Sequence, residues 1–177
     1  MKQKNNQNEL DKYLDVTGWK DLIKNRHIIL DTDFIIKTIE YRAEDVFDEF
    51  DKQNAKYCMI QPVELELLNV KENKVRAARS ALLKIKNFIH ISLHPDMFKN
   101  IKEIQRINAE LGTYSSVTDM YLASCMDHFN NGQTLLLTGN AQDYPFPLFT
   151  REGYLILQDS KKIRTFCFLK INKDLLR

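Results

Sequence analysis

Carboxylates follow a short apolar run near the start of this chain. The run at 28–30 (Ile-Ile-Leu) ends in Asp31, and Asp33 follows two residues later. A short apolar run bounded by polar residues is typical of a strand buried on both faces of a parallel sheet, and ligands bind at the carboxyl ends of such strands. We therefore expect Asp31 at the mouth of a site, with Asp33 one pleat further on or at the N-cap of the next helix. The alternative is that both aspartates only cap that helix.

Further polar side chains lie beside the ends of other predicted strands. They are Glu64, Glu66, Asp119, Asn140 and Asp143. The two glutamates lie in the helix after the second predicted strand, and Asp119 lies in the first turn of the helix that precedes the strand 134–137. Asn140 and Asp143 come directly after that strand. Because parallel strands end at one edge of a sheet, these side chains are expected to converge on a single site with Asp31.

Each of these residues also has a purely structural interpretation. Ser116 and Asp119 have the spacing of a capping box, with Asp in place of the usual Glu. Asn140 and Asp143 have similar N-cap spacing, and Glu64 and Glu66 fit a solvated helix face. These interpretations leave unexplained why every element directs an acid toward the same end of the predicted sheet.

The cost of clustering carboxylates predicts a bound cation. Two carboxylates about 4 Å apart repel by ~4 kcal/mol at an effective dielectric constant near 20, which is a large fraction of the stability of a typical domain. Mg²⁺ or Mn²⁺ removes this penalty and favours oxygen ligands together with substrate phosphate. Zinc, which favours His and Cys ligands, is not expected at a cluster of carboxylates. A cation held in this way can activate water and neutralise charge on a phosphodiester.

The elements that position these residues alternate between strand and helix. Predicted strands at 28–30, 57–60, 88–91 and 134–137 are separated by helical patterns, which is typical of an α/β fold with a mainly parallel sheet. We expect an N-terminal extension over 1–27, partly disordered and then helical over its last part (10–23). A central domain over 28–150 follows. A C-terminal strand pair over 151–177 is expected to pack on the same domain.

Composition indicates a single soluble domain. The chain has 177 residues, 44% of them hydrophobic, and a net charge of +2 that does not by itself indicate a nucleic-acid binder. Cys58, Cys125 and Cys167 lie far apart in apolar surroundings, which favours buried free thiols in a reducing compartment. With no apolar run of membrane-spanning length and no signal peptide, we expect a cytoplasmic protein that does not contact membranes.

Four segments together resemble the PIN-domain family, metal-dependent nucleases related to the flap-type 5′-nucleases. They are Ile29–Asp33, Pro62–Leu67, Thr118–Ala123 and Thr138–Pro145. Their order and spacing cover about 28–145. The last segment, a strand leading into Thr-x-Asn-x-x-Asp-aromatic-Pro, is the most specific, and the acid followed by a helical Leu-Ala is the next.

The resemblance implies a three-layer α/β/α domain whose acids bind metal. Asp31, Glu66, Asp119 and Asp143 would hold one or two Mg²⁺ or Mn²⁺ ions and position the water that attacks an RNA phosphodiester. Thr138 and Asn140 would orient the acids and the substrate by hydrogen bonding. Glu66 is preferred over Glu64 because it immediately precedes Leu67-Leu68, as the family's Glu precedes Leu. Asp33 replaces the Asn or Ser more common in the family, so it either adds a ligand, helps to position substrate, or caps the helix.

The chain departs from a minimal toxin of the VapC type. About 27 residues precede the first strand and about 30 follow the last matching segment, where they could cover a surface that a toxin uses for its antitoxin or for dimerisation. An antitoxin or other protein partner and a homodimer remain expectations from the resemblance. The alternative of a different class is a PIN-fold module that binds RNA or protein without catalysis, and a third is a Mg²⁺-dependent phosphatase of another α/β fold. Candidate phosphate-steering residues are Arg42, Lys74, Arg76, Arg79, Lys84, Lys86 and Arg151.

Overall fold

A computed structural model describes residues 12–128, 133–159 and 161–176. The strands are β1 (Tyr13–Leu14), β2 (His27–Leu30), β3 (Lys56–Ile60), β4 (Ile89–Ile91), β5 (Thr134–Thr138), β6 (Phe149–Gln158) and β7 (Ile163–Ile171). The helices are α1 (Trp19–Leu22), α2 (Thr32–Glu40), α3 (Val46–Lys52), α4 (Gln61–Leu68), α5 (Asn73–Ile85), α6 (Pro95–Glu110) and α7 (Val117–His128). Short 3₁₀ turns lie at Ala141–Asp143 and Lys173–Leu176.

The strands form one seven-stranded sheet in the order β1-β6-β7-β5-β2-β3-β4. β5, β2, β3 and β4 are mutually parallel, whereas β7 pairs antiparallel with β5, and β6 and β1 continue the sheet antiparallel. The predicted α/β fold with a parallel core is therefore confirmed. The predicted C-terminal strand pair extends that same sheet, and its first strand begins at Phe149, before the expected range of 151–177.

The connections reverse direction between β2 and β5. The chain leaving β2 passes through α2 and α3 to β3 on one side, and the chain leaving β5 continues to β6 on the other side. Neighbouring strands whose connections diverge in this way leave a crevice at their carboxyl ends, which is where open α/β sheets bind ligands. β2 after His27 and the whole of β5 are buried, as expected for central strands.

Local signals explain where the helices begin and end. Pro62 and Pro95 lie in the first turns of α4 and α6, where a missing backbone N–H costs nothing. Gly112 follows the end of α6 with φ of 67°, a conformation that glycine adopts without strain. The predicted strands between 28 and 138 are confirmed, with ends shifted by one residue, and helices separate them as expected.

The N-terminal prediction is partly wrong. One or two short helices with a break at Gly18 were expected within 10–23. Tyr13–Leu14 instead form an edge strand paired with β6, and among the described residues of this segment Trp19–Leu22, directly after Gly18, are helical. The Trp19 indole is fully buried, donates from Nε1 to the Leu14 carbonyl (3.1 Å) and stacks on Phe168 of β7 at 6.3 Å. Cross-strand pairing and this anchor outweigh the weak helical pattern. The disorder expected at residues 1–8 lies outside the described residues.

The three cysteines are buried free thiols, as predicted. Across the described ranges, none of the helices is both long and apolar enough to traverse a lipid bilayer.

Replacing Trp19 by alanine should lower the free energy of unfolding by about 3–5 kcal/mol, because it empties a buried aromatic site and removes a hydrogen bond. Urea unfolding followed by circular dichroism measures this. The matched control is Val16→Ala in the same segment, where the side chain is 61% exposed and a change within about 0.5 kcal/mol is expected. Equal stability of the two variants would show that the N-terminal segment is accessory to the core.

Candidate functional site

A cavity of about 390 Å³ opens at the carboxyl ends of β2 and β5. Its lining contains five carboxylates, from Asp31, Asp33, Glu66, Asp119 and Asp143, together with Asn140 and several hydroxyl side chains. Of the described residues that line it, none is a lysine or arginine. We call this the acidic cavity. The four acids that the resemblance indicated therefore share one cavity in the folded chain.

Asp31 is the most buried of these acids, with 7% of its surface exposed. It occupies the N-cap position of α2 but forms no side-chain capping hydrogen bond. Instead its Oδ2 accepts the Thr138 hydroxyl at 2.6 Å, and the Thr138 Oγ1 in turn accepts the Asn140 N–H at 3.0 Å. The interpretation that Asp31 only caps the helix is wrong, because its side chain also joins the end of β2 to the end of β5.

The surroundings of Asp31 disfavour its charge. The pKa of Asp31 is raised from 3.8 to about 6, chiefly by burial and to a lesser extent by the negative charges of Asp119 and Asp33, while hydrogen bonds from Thr138 and from the Thr32 N–H oppose the shift. A cation placed nearby would stabilise the ionised form of such a carboxyl group.

Glu66 is held by two hydroxyl groups from different helices. Its Oε2 accepts the Thr32 hydroxyl at 2.6 Å, and its Oε1 accepts the Thr118 hydroxyl at 2.7 Å. Glu64 lies elsewhere, with its Oε2 3.4 Å from Nδ1 of His90 on β4. The structure thus brings Glu66, and not Glu64, to the acidic cavity.

Asp119 combines a capping contact with a place in the cavity. Its Oδ2 accepts the Ser116 N–H (2.9 Å) and hydroxyl (2.6 Å), and the Ser116 Oγ accepts the Asp119 N–H at 3.1 Å, so the capping box considered from the sequence is present. The other carboxylate oxygen, Oδ1, accepts the Tyr144 hydroxyl at 3.1 Å. Burial, and then the charge of Asp119, hold the pKa of Tyr144 well above its usual value, so this hydroxyl stays a donor.

Asn140 and Asp143 flank the 3₁₀ turn after β5. Asn140 stands at its N-cap without a side-chain capping bond, so the capping interpretation of its amide is wrong. The Ser115 hydroxyl donates to the Asp143 carbonyl at 2.7 Å, which fixes this turn against the start of α7. Burial and the nearby charge of Asp119 raise the pKa of Asp143.

Asp33 forms an ion pair that sequence reasoning missed. Its Oδ2 lies 2.8 Å from Nη2 of Arg164, which belongs to β7. Gly139 lies directly against this pair, since a Cβ there would be 2.3 Å from Asp33 Oδ2 and 2.9 Å from Arg164 Nη2. The Asp33 carboxylate therefore pairs with Arg164 and does not act only as a cap of α2. No local signal identifies Arg164, because 131 positions separate it from Asp33.

The donor set fits a hard divalent cation in its chemistry. Mg²⁺ and Mn²⁺ favour carboxylate oxygens as ligands. Here the carboxylates repel one another, and the pKa values of Asp31 and Asp143 are raised. As the side chains lie, however, no three His, Cys, Asp or Glu residues in the described parts of the chain are arranged to hold a metal directly. Both oxygens of Glu66 and of Asp119 already accept hydrogen bonds. Contact through water, which Mg²⁺ commonly retains, suits these two residues.

The basic residues considered for phosphate steering have different partners. Arg76 and Arg79 donate to the carbonyls of Val70 and Leu67, and Lys86 pairs with Asp48. None of the candidates lines the acidic cavity. Arg151 lines a neighbouring cavity on the hairpin side.

Fold and site together define an α/β protein with an acidic cavity at the carboxyl ends of its parallel strands. Neither the protein-family models nor the curated protein sequences give a match to this chain. Among solved structures, the chain is similar to a chain in the crystal structure of VapBC2 from Rickettsia felis bound to a DNA fragment from their promoter. The TM-score is 0.58 at 17% identity, over 68% of this chain and 93% of that chain. The likeness is one of fold.

Replacing Asp31 by asparagine should stabilise the metal-free protein at neutral pH. The folded-state pKa of Asp31 (about 6) lies above the value of 3.8 for the free group. The ionised carboxylate therefore destabilises the folded state fully above about pH 6, and the penalty disappears as the pH falls toward 4. The asparagine side chain cannot ionise, so we expect a gain of about 1–3 kcal/mol at pH 8 that shrinks by pH 4. Urea unfolding in EDTA at the two pH values measures it.

The control for this experiment is Asp33→Asn, which loses the ion pair with Arg164 and should not gain stability. Identical stabilities of the Asp31→Asn variant and the wild type at pH 8 would contradict the burial-driven penalty.

Proposed function

We propose that this chain is a Mg²⁺- or Mn²⁺-dependent endoribonuclease of the PIN type that hydrolyses RNA phosphodiester bonds. The observation that carries the proposal is the convergence of Asp31, Glu66, Asp119 and Asp143 from four separate elements into one cavity without a lining lysine or arginine. Such a cavity has a high cost unless a cation enters it. It also lies at the crevice where an α/β sheet of this topology binds ligands.

The proposed fold has three layers, with helices on both faces of the sheet. Crossovers between parallel strands are right-handed in almost all proteins. The crossovers from β2 to β3 and from β3 to β4 run in one direction along the sheet, and the crossover from β4 to β5 returns in the other. We therefore infer that the first two place their helices on one face and the last places α6 and α7 on the opposite face. Direct packing of α2 with α4 and α5, and of α6 with α7, supports this inference.

The chain's residues would divide the chemistry as follows. The cation would be held by four carboxylates, those of Asp31, Glu66, Asp119 and Asp143. Asp31 and Asp143 have raised pKa values, and Glu66 and Asp119 are oriented by hydrogen bonds from hydroxyl groups. When bound, the cation supplies an activated water and neutralises charge on the phosphate. Thr138 fixes the orientation of Asp31, and the exposed Asn140 side chain would donate to a substrate phosphate oxygen.

A protein partner forms part of the proposal. The sequence resembles the PIN family, and the fold is similar to that of a chain from the VapBC2 structure, in which the proteins are bound to promoter DNA. We infer that the chain acts as a toxin paired with an antitoxin and forms a homodimer. Coexpression with the product of an adjoining small gene, followed by purification through a tag on one chain, tests the pairing.

A second candidate function is a non-catalytic module of the same fold that binds RNA or protein. The observation in its favour is that hydroxyl groups already satisfy both oxygens of Glu66 and of Asp119 without a cation. Metal-dependent cleavage separates the two functions, because a non-catalytic module leaves RNA intact in Mg²⁺ or Mn²⁺.

Glu66→Gln should reduce RNA cleavage by roughly 100-fold or more, because it removes one of the charges that hold the cation. The matched control is Glu64→Gln, two residues away on the same helix but directed toward His90, which should keep near wild-type activity. The assay follows a pool of labelled random-sequence RNA in MgCl₂, MnCl₂ or EDTA, with thermal melts to verify folding.

Asp119→Asn should cause a comparable loss of cleavage. Because asparagine still accepts the Ser116 N–H, the helix start should be retained and the melting temperature should change by only a few degrees. Full activity in both the Glu66 and the Asp119 variants, or activity that persists in EDTA, would overturn the nuclease assignment.

A further inference from the structure

A second cavity, of about 380 Å³, lies beside the acidic cavity and carries the opposite charge. Its charged lining residues are Arg151 of β6 and Arg164 of β7, and none of the described residues that line it is acidic. We call it the arginine cavity. Asn140 lines both cavities, and Thr138, which lines the arginine cavity, donates its hydroxyl to Asp31 in the acidic one. The two cavities are thus separated by the width of one residue.

Arg164 is fixed in place rather than free to move. One guanidinium nitrogen pairs with Asp33, and the guanidinium carbon lies 6.0 Å from the centre of the Phe166 ring. Its Nε is buried and has no hydrogen-bond partner among the described residues. The Asp33 carboxylate holds Arg164 at the boundary between the cavities, and Gly139 leaves the space for this contact. Such a preoriented guanidinium favours a phosphate ligand, because less side-chain entropy is lost on binding.

Arg151 and Tyr154 reach the same cavity through a β-bulge. Residues three apart in a regular strand point to opposite faces. The register of β6 against β7 shifts between Arg151 and Gly153, so Glu152 is an extra residue and both side chains line the arginine cavity. Bulges that redirect side chains in this way are frequent beside binding sites.

The chemistry of this surface matches an unpaired nucleic-acid strand. Arg151 is exposed, and in the described structure no carboxylate forms an ion pair with it. It also lines an adjoining apolar cleft with Phe146 and Phe149. Proteins bind single strands with arginines, which contact the phosphates, and with accessible aromatic rings, on which the bases stack. A free phosphate would use only the arginines, and a duplex would keep its bases away from the Tyr154 ring.

We propose that the arginine cavity binds the segment of a single-stranded nucleic acid next to the bond that is cut, with Arg151 and Arg164 on the phosphates and Tyr154 stacked on a base. The position relative to the cut bond rests on the proposed nuclease function. Binding itself does not, because the arginine cavity exists independently of a bound cation.

Fluorescence anisotropy of a labelled, mixed-sequence single-stranded RNA in EDTA tests the proposal without cleavage. Arg151→Gln should weaken binding about 10-fold and reduce the slope of log K against log salt by about 0.7, the value for one phosphate contact on a single strand. Tyr154→Leu should weaken binding at least about 5-fold, whereas Tyr154→Phe, which keeps the ring, should bind like the wild type. The charge-matched control is Lys99→Gln on α6, an exposed residue outside both cavities, with an expected change below about 2-fold.

The outcomes separate this proposal from the nuclease assignment. Wild-type affinity and salt slope in both Arg151→Gln and Tyr154→Leu would overturn the arginine cavity as a binding site, even if metal-dependent cleavage is observed. Tighter binding of duplex RNA than of single strands would also overturn it. Loss of binding in these two variants without any cleavage by the wild type would support the cavity and overturn the nuclease function.

Discussion

The hydrogen bond between Thr138 and Asp31 is the contact on which the site depends. It joins the carboxyl ends of β2 and β5, the two central strands at which the connections of the sheet diverge. The bond holds a carboxylate in a place where burial disfavours its charge and raises its pKa to about 6. A fold that retains an acid under this penalty trades stability for a chemically useful group, as is common at functional sites. The other acids are arranged around this fixed point.

Hydroxyl groups, rather than cations, keep Glu66 and Asp119 in position. Thr32 and Thr118 hold Glu66, and Ser116 and Tyr144 hold Asp119. Neutral donors orient carboxylates without cancelling their charge, so the cavity keeps a negative potential, as the proposed function requires. A lysine or arginine in the same places would neutralise these carboxylates and compete with the proposed metal.

Side chains of opposite charge lie on the two sides of the loop at 138–140. The acids lie on one side, and Arg151 and Arg164 lie on the other. The ion pair between Asp33 and Arg164 crosses this boundary, and the absence of a side chain at Gly139 makes the contact possible. Under the two proposals, a cation and a nucleic-acid strand would meet at this boundary.

The sequence by itself determined the local elements and the identity of the acids. The apolar runs of β2 and β5, the prolines that begin α4 and α6, and the capping box at Ser116 act within a few residues, so their pattern can be read along the chain. The family resemblance favoured Glu66, but only the tertiary structure decided that Glu66 and not Glu64 enters the cavity, because their partners lie on distant elements, β4 for Glu64 and α2 and α7 for Glu66. The same holds for Arg164, for the edge strand at Tyr13–Leu14 and for the bulge that turns Arg151 beside Tyr154. Each depends on contacts between residues far apart in the chain, and such contacts leave no periodic signal in the sequence.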